Sequence, residues 1–180
     1  MTATHTPPTG PAPAPVRARD AEVLRGDPKG TITLLADPEH TAGLLTSNRS
    51  LLRAGSIGAP PHLHVSSAEV LHVLDGALDV LLDEQVTTLT AGALLVVPPG
   101  TTHAFAPAAG SDADVFVLFT PGTARFDYYR LLDRVHRGEA DPQEIADSQD
   151  RFDNHYVDSP VWRSRGHRAR RRPALLACPP

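Results

Sequence analysis

The sequence predicts an all-β fold of antiparallel strands, a sandwich or barrel, followed by a short C-terminal helical extension. Three observations carry this. Between Ala21 and Thr120 short apolar runs of strand length succeed one another, each ended by turn residues. No segment of helical period separates them, which argues against an α/β sheet. Helical periodicity begins only after Pro121-Gly122.

Taken in order, residues 1–19 (MTATHTPPTGPAPAPVRAR) are rich in Pro, Ala and Thr and offer little apolar surface to offset ordering entropy, so they are expected to be disordered. Residues 20–120 are expected to form the β-domain. Strands are predicted near Thr31–Ala36, Leu44–Thr46, Ser50–Ser56, His62–Val65, Val70–Leu74, Leu78–Leu82, Gln85–Thr90, Leu94–Val97, His103–Ala106 and Val115–Thr120. The punctuation is Asp75-Gly76, Ala91-Gly92, Pro99-Gly100 and Pro121-Gly122. Asp75-Gly76, with strands on either side, reads as a hairpin turn. Residues 121–162 form the extension. A helix is predicted over Ala124–Arg137, whose apolar positions Ala124, Tyr128, Leu131, Leu132 and Val135 share one face, with Gly138 as its stop. A second helix begins at Asp141 as N-cap, with Pro142 first and Glu144 closing back on the cap. Val161 and Trp162 are expected to dock on the body, and residues 163–180 to form a loose arginine-rich tail.

Composition narrows the classes of function. With 180 residues the chain suits one domain with a sizeable core. Its net charge of −4 includes six arginines between Arg163 and Arg172; without them the rest stands at −10. Such a body lacks the basic face that phosphate contacts require, so no nucleic-acid partner is expected. A single cysteine, Cys178, allows no internal disulfide. There is no secretory leader and no apolar run of membrane-spanning length, so a soluble cytoplasmic protein without a membrane partner is expected.

The chemistry lies in His62-Leu63-His64, Glu69 and His103. In a strand, residues two apart share a face, so His62 and His64 form a pair of adjacent imidazoles suited to a divalent transition metal. Glu69 lies beyond the turn-like Ser66-Ser67, and a short bend brings its carboxylate back onto the same ion. Pro99-Gly100 suits the central positions of a type II turn, which feeds His103 in from another strand. Three nitrogens and one oxygen leave two positions of an octahedron open; a closed structural zinc site would use cysteines. Parity places His72 on the opposite face from Glu69, outside the ligand set. His5, His40, His136, His155 and His167 read as surface or packing residues. The same parity puts Leu71 and Val73 on the face of Glu69 and Phe105 on that of His103, as apolar walls of a substrate pocket or as ordinary barrel core.

Here the residues resemble the two motifs of the cupin family. His62, His64, Glu69 and Gly76 match the first motif, G-x5-H-x-H-x3-4-E-x6-G. Gly92, Pro98, Gly100 and His103 match the second, G-x5-P-x-G-x2-H-x3-N. Ser56 replaces the first glycine and Pro107 the last asparagine, neither a metal ligand in the family. The resemblance implies a jelly-roll β-barrel and one divalent metal (Fe, Mn, Ni, Co or Zn) on His62, His64, Glu69 and His103. It also implies a homodimer and a small-molecule substrate. The chain looks like small actinobacterial cupins of the quercetinase-like or polyketide-pathway type. The expected function is then a small dioxygenase acting on an enol, flavonol or aromatic polyketide-like molecule, with Glu69 as catalytic base. A non-redox isomerase, cyclase or lyase would use the same residues, and a non-catalytic ligand-binding barrel is the third reading.

Overall fold

The computed structural model describes residues 15–169. After a single turn at Ala18–Asp20 come β1 (Val23–Leu24), β2 (Gly30–Ala36), α1 (Pro38–Thr41), β3 (Thr46–Leu52), β4 (Ala59–Leu63), β5 (Ala68–Leu82), β6 (Gln85–Thr90), β7 (Leu94–Val97), β8 (His103–Pro107) and β9 (Ala113–Thr120). The extension adds α2 (Arg125–His136), α3 (Pro142–Asp147), α4 (Gln149–Phe152), β10 (His155–Tyr156) and α5 (Pro160–Ala169). All pairings are antiparallel, in the order β1-β2-β3-β9-β5-β8-β4-β10, with β6 and β7 also on β5.

β5 holds the barrel together. Its first half pairs with β7 and β9, its second with β6 and β8, so one strand serves both layers. The predicted hairpin at Asp75-Gly76 is therefore corrected: the chain runs on through it as one strand. A register shift against β9 falls between Val73 and Asp75. Before it Glu69, Leu71 and Val73 are buried; after it Leu78 and Val80 are. The odd positions face inward first, then the even ones, as an extra residue in a bulge requires. Gly76 has φ +75°, and a Cβ there would lie 2.0 Å from the Asp112 carbonyl oxygen. The glycine that reads as a turn locally is a barrel corner. Gly76→Ala is expected to cost about 2–4 kcal/mol, from left-handed strain plus the backbone clash; urea unfolding checks this.

Two further boundaries differ. The predicted strands Leu44–Thr46 and Ser50–Ser56 are replaced by one strand, β3, which runs through the buried polar Ser47, Asn48 and Ser50 and leaves Leu44, Leu45 and residues 53–56 outside it. The tail expected from Arg163 instead continues α5 to Ala169. Residues 1–14 and 170–180, which hold the rest of both terminal predictions, lie outside the described residues.

The main core lies between the layers: Leu52, Leu71, Val73, Leu78, Val80, Phe105, Val115, Val117 and Phe119. Phe126, Tyr128 and Tyr129 of α2 pack with Phe152 on Leu24 and Leu34, and Trp162 of α5 docks on Leu81, Ala104 and Ala106 as expected. Asp141 and Glu144 form the predicted capping box at α3. No helix of the described residues is long and apolar enough to cross a membrane.

Candidate metal centre

The predicted ligands meet. His62 on β4 stands directly opposite His103 on β8, His64 follows β4 at once, and Glu69 enters from β5. The turn at Pro99-Gly100 forms as expected: Thr101 N–H donates to the Pro98 carbonyl and Gly100 has φ +80°. Gly100 N–H also donates to the His64 carbonyl at 2.7 Å, which clips the turn carrying His103 to the strand carrying the histidine pair. One ligand atom from each of the four side chains lies within 4.8 Å of every other. All four are buried, with exposures of 3% or less. His72 is outside the group, as parity predicts.

The outer faces of the rings determine what the inner faces offer. Nδ1 of His62 donates to the Pro60 carbonyl at 2.8 Å, Nδ1 of His103 to the Thr101 carbonyl at 2.9 Å, and Nδ1 of His64 to the Asp153 carbonyl. A carbonyl only accepts, so each Nδ1 carries a proton, and a ring that gives up its second proton turns a lone pair inward from Nε2. Those Nε2 atoms lie 2.6 Å (His103), 3.2 Å (His64) and 4.0 Å (His62) from Glu69 Oε2. Nitrogens this close to a carboxylate must share a cation with it, either a proton or a metal ion. The donor set fits a divalent transition metal whose ligand tautomers are fixed by backbone carbonyls.

Protons compete for the same place. Burial, and then the neighbouring His103, push the His62 imidazole well below its ordinary range. Burial alone would lift the Glu69 carboxyl, but hydrogen bonding and charge from His103 and His64 outweigh it and hold Glu69 well below the usual carboxylate range. Burial likewise opposes the charged form of His103, yet the hydrogen bond and charge of Glu69 prevail and raise it. Metal binding must displace the proton that His103 keeps. Affinity is therefore expected to fall as pH drops through the raised His103 value and to level off above it, by about tenfold per pH unit for one proton. Competition titration with a chromophoric chelator across that range measures it.

The cluster opens on a cavity of ≈ 190 Å³ whose wall includes His62, Glu69, Phe105, Arg125, Tyr128 and Tyr156. Of the predicted pocket residues Phe105 lines this cavity, whereas Leu71 and Val73, both fully buried, pack in the core between the layers. Parity put them on the inner face correctly, but the inner face is mostly core. His136, read as a surface or packing residue, is exposed and stands at the cavity's rim. His40 bonds Asp37, and His155 lies 3.7 Å from Asp150 and 3.6 Å from Asp153.

Sequence reasoning missed the contribution of the extension. β10 pairs with β4, setting Tyr156 opposite His62. The Asp153 carboxylate accepts from Val65 N–H at 2.6 Å and Ser66 N–H at 2.9 Å, while its carbonyl holds His64. Arg125 is 3% exposed, with its guanidinium 4.4 Å from the Phe119 ring centre and 4.7 Å from that of Tyr128. Burial, partly offset by Arg125, pushes the Tyr129 phenol up to about 12, so it stays neutral.

Comparison with known proteins agrees with this architecture. A family model for the cupin domain matches residues 48–120. KdgF from Halomonas sp. superposes with a TM-score of 0.56 at 22% identity, over 64% of this chain and 99% of its own. An RmlC-like cupin from Shewanella frigidimarina gives 0.55 at 19%, over 64% and 96%. The polyketide cyclase RemF from Streptomyces resistomycificus gives 0.52 at 17%, over 69% and 98%. No curated protein matches the chain by sequence. Both motifs, the domain match and the barrel agree: residues 48–120 match the cupin domain, and the fold is that of cupin structures.

Proposed function

We propose that this cupin is a metal-dependent enzyme of small-molecule chemistry, and specifically a small oxygenase acting on an enol, flavonol or aromatic polyketide-like substrate. The observation that carries the reading is that the four-ligand cluster opens directly onto an aromatic-walled cavity. His62, His64, Glu69 and His103 would hold one divalent ion. That ion supplies Lewis acidity and open coordination positions, with redox capacity if it is Fe, Mn, Ni or Co. Glu69 is the carboxylate of the cluster and lines the cavity, so it takes the proton of a substrate hydroxyl or enol. Phe105, Tyr128 and Tyr156 flank the substrate.

Oxygen uptake by the metal-loaded protein with a panel of flavonols, enols and aromatic polyketides tests the reading. Turnover under air that stops under argon is expected. Equal turnover under argon would replace the oxygenase with a non-redox cyclase, isomerase or lyase, the second reading, which the fold likeness to RemF favours. Ligand-dependent thermal stabilisation without turnover would leave a binding protein.

The proposed setting is a soluble homodimer without nucleic-acid partner. Supporting the dimer, Leu74, Leu94 and Val96 are exposed at 43%, 61% and 54% near one another on β5 and β7. Light scattering is expected to give twice the monomer mass.

A further inference from the structure

Arg125 is buried without a counter-charge. Its Nη1 donates to the Phe152 carbonyl at 3.2 Å and its Nη2 to Asn154 Oδ1 at 3.1 Å, both neutral partners. No ion pair forms at it among the described residues, and its Nε–H has no partner. Because a guanidinium only donates, Asn154 must turn its oxygen toward Arg125. Its NH2 group is then left over, and it too is buried and unpartnered. Asn154 is 2% exposed. Both residues line the cavity that His62 and Glu69 line.

An unpaired buried charge costs several kcal/mol. The aromatic rings of Phe119, Tyr128 and Tyr129, with centres 4.4, 4.7 and 5.5 Å from the guanidinium, offset some of that. They accept no hydrogen bond in the plane of the guanidinium, so Nε–H and Asn154 Nδ2–H remain unmet. Arg125 also occupies the first position of α2, the end of a helix where the dipole disfavours a cation. A donor-only pair with surplus positive charge lacks one thing, an anionic acceptor.

We infer that the substrate is a carboxylic acid whose carboxylate is held by Arg125 and Asn154 while its reacting oxygen faces the His62–Glu69 cluster. This rests on the metal-enzyme reading above and names the class of molecule that site takes. Arg125 and Asn154 set specificity; the proton chemistry stays with Glu69.

The test uses the zinc-reconstituted full chain and three aromatic acids, benzoate, salicylate and 1-hydroxy-2-naphthoate, each beside its neutral amide, titrated by calorimetry. At least one acid is expected to bind about tenfold or more tighter than its amide, the range of a charge-assisted hydrogen bond. Arg125→Gln should erase that preference. Asn154→Asp should erase it too, because it supplies an internal carboxylate to Arg125; it decides the matter if Arg125→Gln does not fold. Acids that bind no tighter than their amides, or a preference that survives Asn154→Asp, would overturn the inference. Metal content measured on the same samples separates the two readings. A wild type that holds no zinc yet prefers acids would remove the metal centre and keep the anion site.

Discussion

Glu69→Gln is expected to abolish turnover, by about 10²–10⁴-fold for loss of a positioned base alone, while the barrel stays folded. The carboxamide has the same shape, and without the carboxylate the cluster's neutral rings present Nε2 lone pairs. An amide NH2 at the place of Oε2 can donate to one of them, so the metal-free variant keeps its packing. It loses the negative charge that both proton transfer and a divalent ion require, and metal affinity should fall with it. Turnover, metal content by mass spectrometry and the melting temperature, measured together, separate these effects. Activity retained at full metal loading would remove Glu69 from the role of base.

Asp153→Ala is expected to weaken metal binding by about 10–100-fold although Asp153 touches no metal. Its carboxylate fastens the two amides that follow His64, and its carbonyl fixes the His64 ring. The residue sits at φ 49°, a left-handed conformation that Asp and Asn adopt at lower cost than Ala. Alanine therefore removes the clasp and strains the backbone that aims the imidazole. Asp153→Asn keeps an acceptor and the same backbone tolerance, so it should restore most of the affinity. Equal losses in both variants would mean that charge, not positioning, is what Asp153 contributes. Metal dissociation constants read this directly, where a stability measurement alone would not.

The two predictions mark different degrees of legibility. Glu69 and its three histidines were readable because each clue is local: the two-residue period of a strand, the φ > 0 requirement of Gly100, the bend after Ser66-Ser67. The capping box at Asp141 was readable for the same reason. Asp75-Gly76 shows how local reading fails. The dipeptide meets the dihedral demands of a hairpin turn and of a barrel corner equally. Only the pairing of both flanking halves with β8 and β9 selects the corner.

By itself, then, the sequence determined the all-β class, the grouping of His62, His64, Glu69 and His103, the turn that delivers His103 and the helices α2 and α3. Each clue lies within a few positions, where backbone geometry is set by short-range sterics, although the quartet itself joins His103 to Glu69 across 34 residues. Tertiary structure alone decided that Leu71 and Val73 are core while Phe105 is cavity wall, since parity gives a face but not what covers it. It alone brought Asp153 to His64 and Arg125 to the cavity, across 89 residues of sequence in the first case. Such contacts follow from how the extension packs over the open end of the barrel, a property of summed burial that no short stretch of residues encodes.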